Sequence, residues 1–508
     1  MDCKYTTQSV KVNKVVFRQK VEHPFDNELV LPDYCPDINR VLKCRVTAKV
    51  AQRSVDSGRI NVEGLICLSL IYCDKDCNIR AFDAQNPFTK TIDYASADGM
   101  HSVDVVCHTD YCNCRATTER SIDVHAAISL SVCVIKSDEI SVIADIDAPH
   151  IHMKRNIVPV SSPSGRAEKY VLINDEISLP DKNPAIRNIL RNDISVVIND
   201  KKIIGNRVVV KGEIILSVLY FGEETVDCEN FKETIPFNQV IEVQGIHENC
   251  TCTVKPDVVS AELMPRTGMS GDMRVISASV KLYLCVTAFC EGEIPYITDA
   301  YSTKYDMQLG FSDVCFEKVV DNINENVKLR YNMDMPLSAE GQIVDVWCNP
   351  TLLGIAADNG CAQVNGNMQV CLIVRDKDGE PTYYERIFDF SERFNADLPE
   401  KCELNCSLSS IGCSSVINGE SIEVITDTNV NIDIIEQNQR KVISSAEFSE
   451  EHIRRCQPSS VVVYFANEGE CVWDIARRYH SSPEAILSTN GIKNEVFDRN
   501  MTVVIPAE

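Results

Sequence analysis

The chain has 508 residues, more than one hydrophobic core usually organises, so several domains are expected. Hydrophobic residues make up 44% and charged residues 24%, an ordinary globular composition that excludes a disordered or collagen-like chain. Acidic residues number 74 against 50 basic ones, and the formal net charge is -24. This excess disfavours nucleic acid and anionic lipid as partners, because both would be repelled.

The N-terminal residues include no apolar segment behind a basic start, so no secretory signal is predicted and a cytoplasmic location is expected. The longest apolar stretches, such as residues 214–221 and 461–466, are much shorter than the roughly 18 to 20 residues that cross a bilayer. No membrane span is therefore predicted.

The 24 cysteines are scattered along the chain, many of them within apolar runs. Because no export signal is visible, we expect reduced, buried thiols rather than a disulfide framework. Cys112 with Cys114 and Cys250 with Cys252 are close pairs, but neither has a second pair or a histidine at zinc-ligand spacing. The sequence predicts no metal and no other cofactor.

An internal repeat organises the first 438 residues. A motif beginning Leu-Pro-Asp and a later glycine-led strand return 148 positions further on, and the strand returns once more in residues 364–374. The corresponding pairs are Leu31 and Leu179, Pro36 and Pro184, Gly64 and Gly212, and Tyr72 and Tyr220. We predict three related domains, over residues 1–145, 146–298 and, in degenerate form, 299–438.

Within each repeat, apolar and polar residues alternate and turn residues separate the runs, as in antiparallel strands. The expected fold is mainly β, with each repeat an antiparallel sandwich or barrel. Pro36 and Pro184 suit the first position of a short helix, which would plug each sheet. Gly64 and Gly212 indicate a bulge or a close backbone approach.

A different pattern occupies the C-terminal end of the chain. Residues 439–459 carry charges and amides without a sustained period, so they are predicted to be a linker, with a short helix over 446–455. Residues 460–508 then show a strand, two helical segments and a closing strand, which is a small βααβ unit.

This tail resembles a LysM domain. The residues that carry the resemblance are the run from Gly469 to Tyr479, the run from Ile486 to Asn490, and Val504-Ile505-Pro506. The usual Gly-Asp-Thr is replaced by Gly469-Glu470-Cys471, and the usual Pro-Gly-Gln by Asp498-Arg499-Asn500. These changes remove groups that would bind an N-acetyl sugar, so the resemblance favours a groove for protein, with peptidoglycan as the alternative.

The repeats resemble SPOCS domains, which occur in spore-coat proteins of spore-forming clostridia. Repeats of this kind with one terminal LysM domain are similar to the SipL family of spore-coat morphogenesis proteins. That resemblance implies a coat-assembly scaffold in the mother cell, at the outer forespore surface. Its implied partners are the ATPase of the coat's basement layer, bound through the LysM domain, and other coat proteins.

The expected docking surface comprises two loops of the tail. Its residues are Gly469, Glu470, Cys471, Val472 and Trp473 in the first loop and Asn490, Gly491 and Ile492 after the second helix. The sequence contains no recognisable catalytic motif. Cys471 is the one nucleophile candidate, at a predicted helix start, but it lacks a neighbouring base. A non-enzymatic protein is therefore predicted.

Overall fold

The fold is mainly β, as the alternating sequence pattern predicts. The computed structural model describes residues 4–56, 58–95, 101–148, 150–223, 228–268, 271–334, 341–375, 379–418, 421–452 and 461–506. Over these residues it contains 20 strands and two helices. Neither helix is long and apolar enough to cross a membrane.

Eighteen of these strands form three units of six strands each. The first unit consists of β1 (Lys4–Val30), β2 (Arg40–Asp56), β3 (Arg59–Cys73), β4 (Ile79–Asp93), β5 (His101–Ala116) and β6 (Ser121–Asp147). The second consists of β7 (Ile151–Ser178), β8 (Ile186–Ile204), β9 (Arg207–Gly222), β10 (Cys228–Glu242), β11 (Cys250–Arg266) and β12 (Val275–Ser302). The third consists of β13 (Tyr305–Asp334), β14 (Gln342–Asp358), β15 (Cys361–Arg375), β16 (Pro381–Asn395), β17 (Cys402–Asn418) and β18 (Ser421–His452).

All three units have the same topology. The second, third and fourth strands form one antiparallel sheet, and the first, sixth and fifth strands, in that order, form another. Alternate residues of both sheets face inward, because successive side chains of a strand point to opposite faces. They build one apolar core in the first unit, one in the second, and two clusters in the third. The degenerate third repeat therefore keeps the fold although its motif has changed.

The repeated Leu-Pro-Asp motif closes one end of the sandwich. Leu31 and Leu179 are buried, and the buried Tyr72 and Tyr220 donate their hydroxyl protons to the carbonyls of Pro36 (3.0 Å) and Pro184 (3.3 Å). The prediction of a helical plug is wrong, because both prolines lie in irregular, non-helical backbone just after a turn. The motif and the strand that ends in tyrosine recur together because they are hydrogen-bonded to each other.

The repeated glycine lies on the third strand of each unit, opposite a phenylalanine. A Cβ on Gly212 would lie 2.5 Å from the carbonyl oxygen of Val197 and 2.6 Å from the Phe237 ring. The register with the second strand shifts next to Gly64, Gly212 and Gly366 alike. Both predicted features, a bulge and a close approach, are therefore confirmed.

Equivalent positions of the three units meet in shared apolar clusters. One cluster is formed by the sheets of the second to fourth strands and includes Leu42, Ile71, Leu190, Leu219, Trp347 and Ile373. A second cluster joins the long first and sixth strands and includes Val10, Val142, Val158, Ile294, Val314 and Val442. The units are thus packed against one another with pseudo-three-fold correspondence.

Charged side chains at equivalent positions connect the same units. Arg45 of the first unit pairs with Asp193 of the second at 2.9 Å. Arg191 of the second unit forms two hydrogen bonds, of 2.7 and 2.9 Å, with Asp345 of the third, and both side chains are buried. Lys43 pairs with Glu385 at 2.6 Å and connects the first unit to the third.

Two sequence expectations need correction. Residues 439–452 belong to β18, so the predicted linker and helix are wrong there, and residues 453–459 lie outside the described part of the chain. The expectation that all thiols are free is wrong for Cys250 and Cys290, which form a disulfide between β11 and β12. The His247 ring lies beside this disulfide, with its nearest ring nitrogen within 4.8 Å of both sulfur atoms.

Candidate functional site

The C-terminal unit has the predicted order of strand, two helices and strand. It comprises β19 (Val462–Ala466), α1 (Val472–Tyr479), α2 (Pro483–Asn490) and β20 (Met501–Ile505). The Ser482 hydroxyl caps α2 by accepting from the Ala485 N–H at 3.2 Å, and Pro483 occupies the first turn. Gly491 ends α2 in the left-handed conformation, with φ 65°.

The first predicted loop is held by backbone hydrogen bonds to the segment that follows α2. The Gly469 N–H donates to the Phe497 backbone carbonyl at 2.9 Å, and the Phe497 N–H donates to the Glu470 backbone carbonyl at 3.0 Å. Cys471 lies at the N-terminal boundary of α1 and forms an isolated β-bridge with Val496. The first predicted loop is therefore joined to residues 495–497, which follow α2.

Glu470 fixes the conformation of this loop. Its carboxylate accepts from the Asn467 N–H at 2.9 Å and from the Tyr464 hydroxyl at 3.0 Å. The hydrogen bond from the Asn467 backbone is the main cause that lowers the pKa of Glu470 below its ordinary value, with a smaller contribution from Tyr464. An ionised Glu470 at neutral pH therefore supports the loop and gives the surface a negative charge.

Two residues predicted to lie on the docking surface point into the protein. Val472 is 1% exposed and belongs to the core of the C-terminal unit. Trp473 is partly buried, contacts the Tyr301 ring edge to face at 5.1 Å and donates from Nε1 to the Asp299 carboxylate at 2.8 Å. Trp473 thus contacts the second six-strand unit.

The residues at the end of α2 serve mainly to hold the unit together. Asn490, predicted from the sequence to follow the second helix, is its last residue. The Asn490 side chain donates to the carbonyls of Ile486 and Val504, at 2.8 and 2.7 Å, and accepts from the Val504 N–H at 2.7 Å. Ile492 is partly buried against the core, whereas Gly491 is exposed. Asn490 therefore connects α2 to β20 and has its polar atoms engaged within the unit.

An interface with the end of β12 was not predicted from the sequence. Arg477 donates to Asp299 at 2.8 Å, and the Tyr301 hydroxyl donates to the Ser481 carbonyl at 2.7 Å. Tyr301 is 3% exposed and belongs to the apolar core of the C-terminal unit. Nothing in the local sequence marks Asp299 or Tyr301, because their partners lie more than 170 positions away along the chain.

Some apolar side chains of the C-terminal unit remain exposed. Val461, Val463 and Phe465, on and next to β19, are 71%, 51% and 74% exposed. Val496 is 50% exposed and pairs with Cys471 of the first predicted loop in an isolated β-bridge. The first predicted loop, which carries the charged Glu470, therefore has the exposed apolar side chain of Val496 beside it.

Comparison with known protein families concerns the first two six-strand units. Residues 37–117 and 185–264 each match the family model described as SipL, SPOCS domain. These two segments resemble SPOCS domains. In both cases the SPOCS-like segment starts just before the second strand of the unit and reaches the fifth. No curated protein and no solved structure matches the chain.

The SPOCS match links the chain to sporulation. The third unit lies outside the two matched segments, but it has the strand order of the SPOCS-like units. The shared fold therefore extends further along the chain than the sequence match does.

Proposed function

We propose that this protein is a non-enzymatic scaffold for spore-coat assembly. Its C-terminal unit acts as a LysM-like module that docks onto the basement-layer ATPase at the forespore surface in the mother cell. The observation that carries this proposal is the SPOCS match in two units of a chain that ends in a βααβ module. Three packed units and one module give the protein several surfaces for other coat proteins.

The docking surface proposed here is formed by Gly469, Glu470 and Cys471 with Gly491, Ile492 and the adjacent Val496. Val472, Trp473 and Asn490 support it from inside, because their side chains are engaged within the protein. An apolar residue beside a fixed carboxylate suits a protein partner with an apolar residue next to a basic one. The acidic chain as a whole would also attract a basic partner surface.

A matched pair of variants tests this assignment. Val496→Asp places a charge in the proposed surface, and Val416→Asp places the same charge on β17, where the valine is 51% exposed compared with 50% for Val496. We expect Val496→Asp to weaken binding of the full chain to the ATPase about tenfold or more, and Val416→Asp to leave it unchanged. Equal effects of the two variants would remove the surface from the proposal.

A further inference from the structure

Cysteines occupy the same place in the first and third units, where the edges of the two sheets meet. The Cys112 thiol on β5 donates to the backbone carbonyl of Cys44 on β2, at 3.7 Å. The Cys413 thiol on β17 donates to the backbone carbonyl of Val346 on β14, at 3.3 Å. Cys44 and Val346 are equivalent positions, since they pair with the equivalent residues Leu70 and Leu372.

Each of these thiols also has a second cysteine as a side-chain partner. The Cys112 thiol is hydrogen-bonded to the Cys44 thiol, and the Cys413 thiol to the Cys348 thiol. None of the four is part of a disulfide in this structure. The second unit has Asn192 and Ala261 at the positions of Cys44 and Cys112, so it lacks such a pair.

Each pair combines an accessible thiol with a protected one. Cys44 and Cys348 are buried, with 5% and 4% exposure, whereas Cys112 and Cys413 are partly exposed. The hydrogen bond from the partner thiol lowers the pKa of Cys112 and of Cys413, and this favours their thiolate form. The partly exposed member can thus react with a reagent from solution, while the buried member is placed to complete the reaction.

We propose that Cys44 with Cys112, and Cys348 with Cys413, are oxidation sites that form disulfides joining the two sheets of their units. The oxidant is a low-molecular-weight disulfide. The accessible thiolate attacks one sulfur of the reagent, forms a mixed disulfide and releases one reagent thiolate. The buried thiol, as thiolate, then displaces the second reagent thiolate. Two protein thiols are oxidised, and their two protons pass to the two reagent thiolates, so the reagent is reduced to two thiols.

Each crosslink would close a long loop, because about 65 to 68 residues separate the partners. β2 and β5, like β14 and β17, are edge strands of different sheets, so a covalent bond between them would hold the two sheets together. We therefore expect the oxidised protein to resist thermal unfolding better than the reduced protein.

Oxidation of the folded full chain with oxidised glutathione tests this proposal. Peptide mapping by mass spectrometry, after the remaining thiols are alkylated, should find Cys44 linked to Cys112 and Cys348 linked to Cys413. The melting temperature of the oxidised protein should rise by roughly several degrees. Cys112→Ser and Cys413→Ser should each abolish one crosslink. Cys315→Ser, which removes an exposed thiol on β13, should leave both crosslinks in place.

Several results would overturn the proposal. One is glutathione bound to Cys112 and Cys413 without any crosslink. Another is a pair of crosslinks that forms only when the chain is oxidised in denaturant, since folded geometry would then not direct the reaction. A link from Cys44 to Cys114, the other cysteine near it on β5, would overturn the assignment in the first unit. The wild-type mapping decides the matter even if a serine variant folds poorly.

Discussion

At the scale of single residues, Asp299 connects the C-terminal unit to the rest of the protein. Its carboxylate accepts from both Trp473 and Arg477 at 2.8 Å, and its side chain is 16% exposed. A carboxylate that accepts two hydrogen bonds in a mostly buried site contributes more to stability than an exposed ion pair does. Asp299 therefore sets how firmly Trp473 is held against Tyr301.

We predict that Asp299→Ala loosens this interface without unfolding either side. Fluorine NMR of the chain labelled with fluorotryptophan should show the Trp473 signal moving toward a solvent-exposed environment, while the signal of Trp347, the other tryptophan, stays in place. Glu293→Ala removes an exposed carboxylate from the same strand and serves as the control. An unchanged Trp473 signal in the Asp299 variant would contradict the role given to this contact.

Glu470 predicts a pH dependence for the C-terminal unit. Because its pKa is lowered in the folded state, its stabilising effect is fully present above the unfolded pKa and is lost as the pH falls through the folded pKa. The melting temperature reported by the Trp473 fluorine signal should therefore fall between about pH 5 and about pH 3. Glu470→Gln should make this fall shallower, and Glu468→Gln, at an exposed carboxylate nearby, should not.

At the scale of elements, the repeated glycines show what the sequence could and could not predict. Alternation and turn residues were enough to predict antiparallel strands, and the recurrence of Gly64 and Gly212 was enough to predict a close approach. The partner of that approach, a phenylalanine one strand away, could not be read from the sequence because cross-strand register depends on tertiary pairing. The prediction of a helical plug was wrong for a similar reason, because the backbone at Pro36 is hydrogen-bonded to Tyr72, which lies 36 positions further along the chain.

Adding one methyl group at such a glycine should be costly. Gly212→Ala is expected to destabilise the second unit by about 1 to 3 kcal/mol, because the new Cβ would overlap the Val197 carbonyl and the Phe237 ring. Gly292→Ala, on β12, meets no atom within 4 Å and should change stability little. Urea unfolding of both variants measures the difference. A cost at Gly292 equal to that at Gly212 would contradict the steric explanation.

For the C-terminal unit, the element order was predictable and the role of each site residue was not. The spacing of Val472 and Trp473 on a short helix left open which side of the unit would be covered. The covered side is determined by Tyr301, which comes from the second unit and completes the core of the C-terminal unit. Long-range packing of this kind leaves no periodic trace in a single sequence.

At the scale of the whole molecule, the three units are packed against one another through shared apolar clusters. The buried Arg191 and Asp345 connect the second unit to the third. Asn230 also donates to Asp345 at 3.1 Å, and the Arg191 guanidinium lies over the Trp347 ring, 4.7 Å from its centroid. Arg191 also pairs with Asp193 of its own strand, whereas Arg191 is the one ion-pair partner of Asp345 among the described residues. Removing Arg191 therefore leaves the Asp345 charge buried without a counter-charge, which costs about 3 to 5 kcal/mol.

This pair gives a prediction about cooperation between units. Arg191→Met should strongly destabilise the contact between the second and third units, because the buried Asp345 loses its counter-charge. The double variant Arg191→Met with Asp345→Leu should recover most of the loss, because the buried carboxylate is then removed as well. Hydrogen exchange of the central strands β9 and β15 in the three proteins measures the effect. Equal protection in wild type and Arg191→Met would contradict tight packing between the second and third units.

The most direct test of the account is a side-by-side binding titration of the full chain against the basement-layer ATPase and against purified peptidoglycan fragments. A scaffold that docks through its C-terminal unit should bind the ATPase, bind peptidoglycan fragments at least about tenfold more weakly, and lose ATPase binding in Val496→Asp. Saturable binding to peptidoglycan without binding to the ATPase would contradict the account.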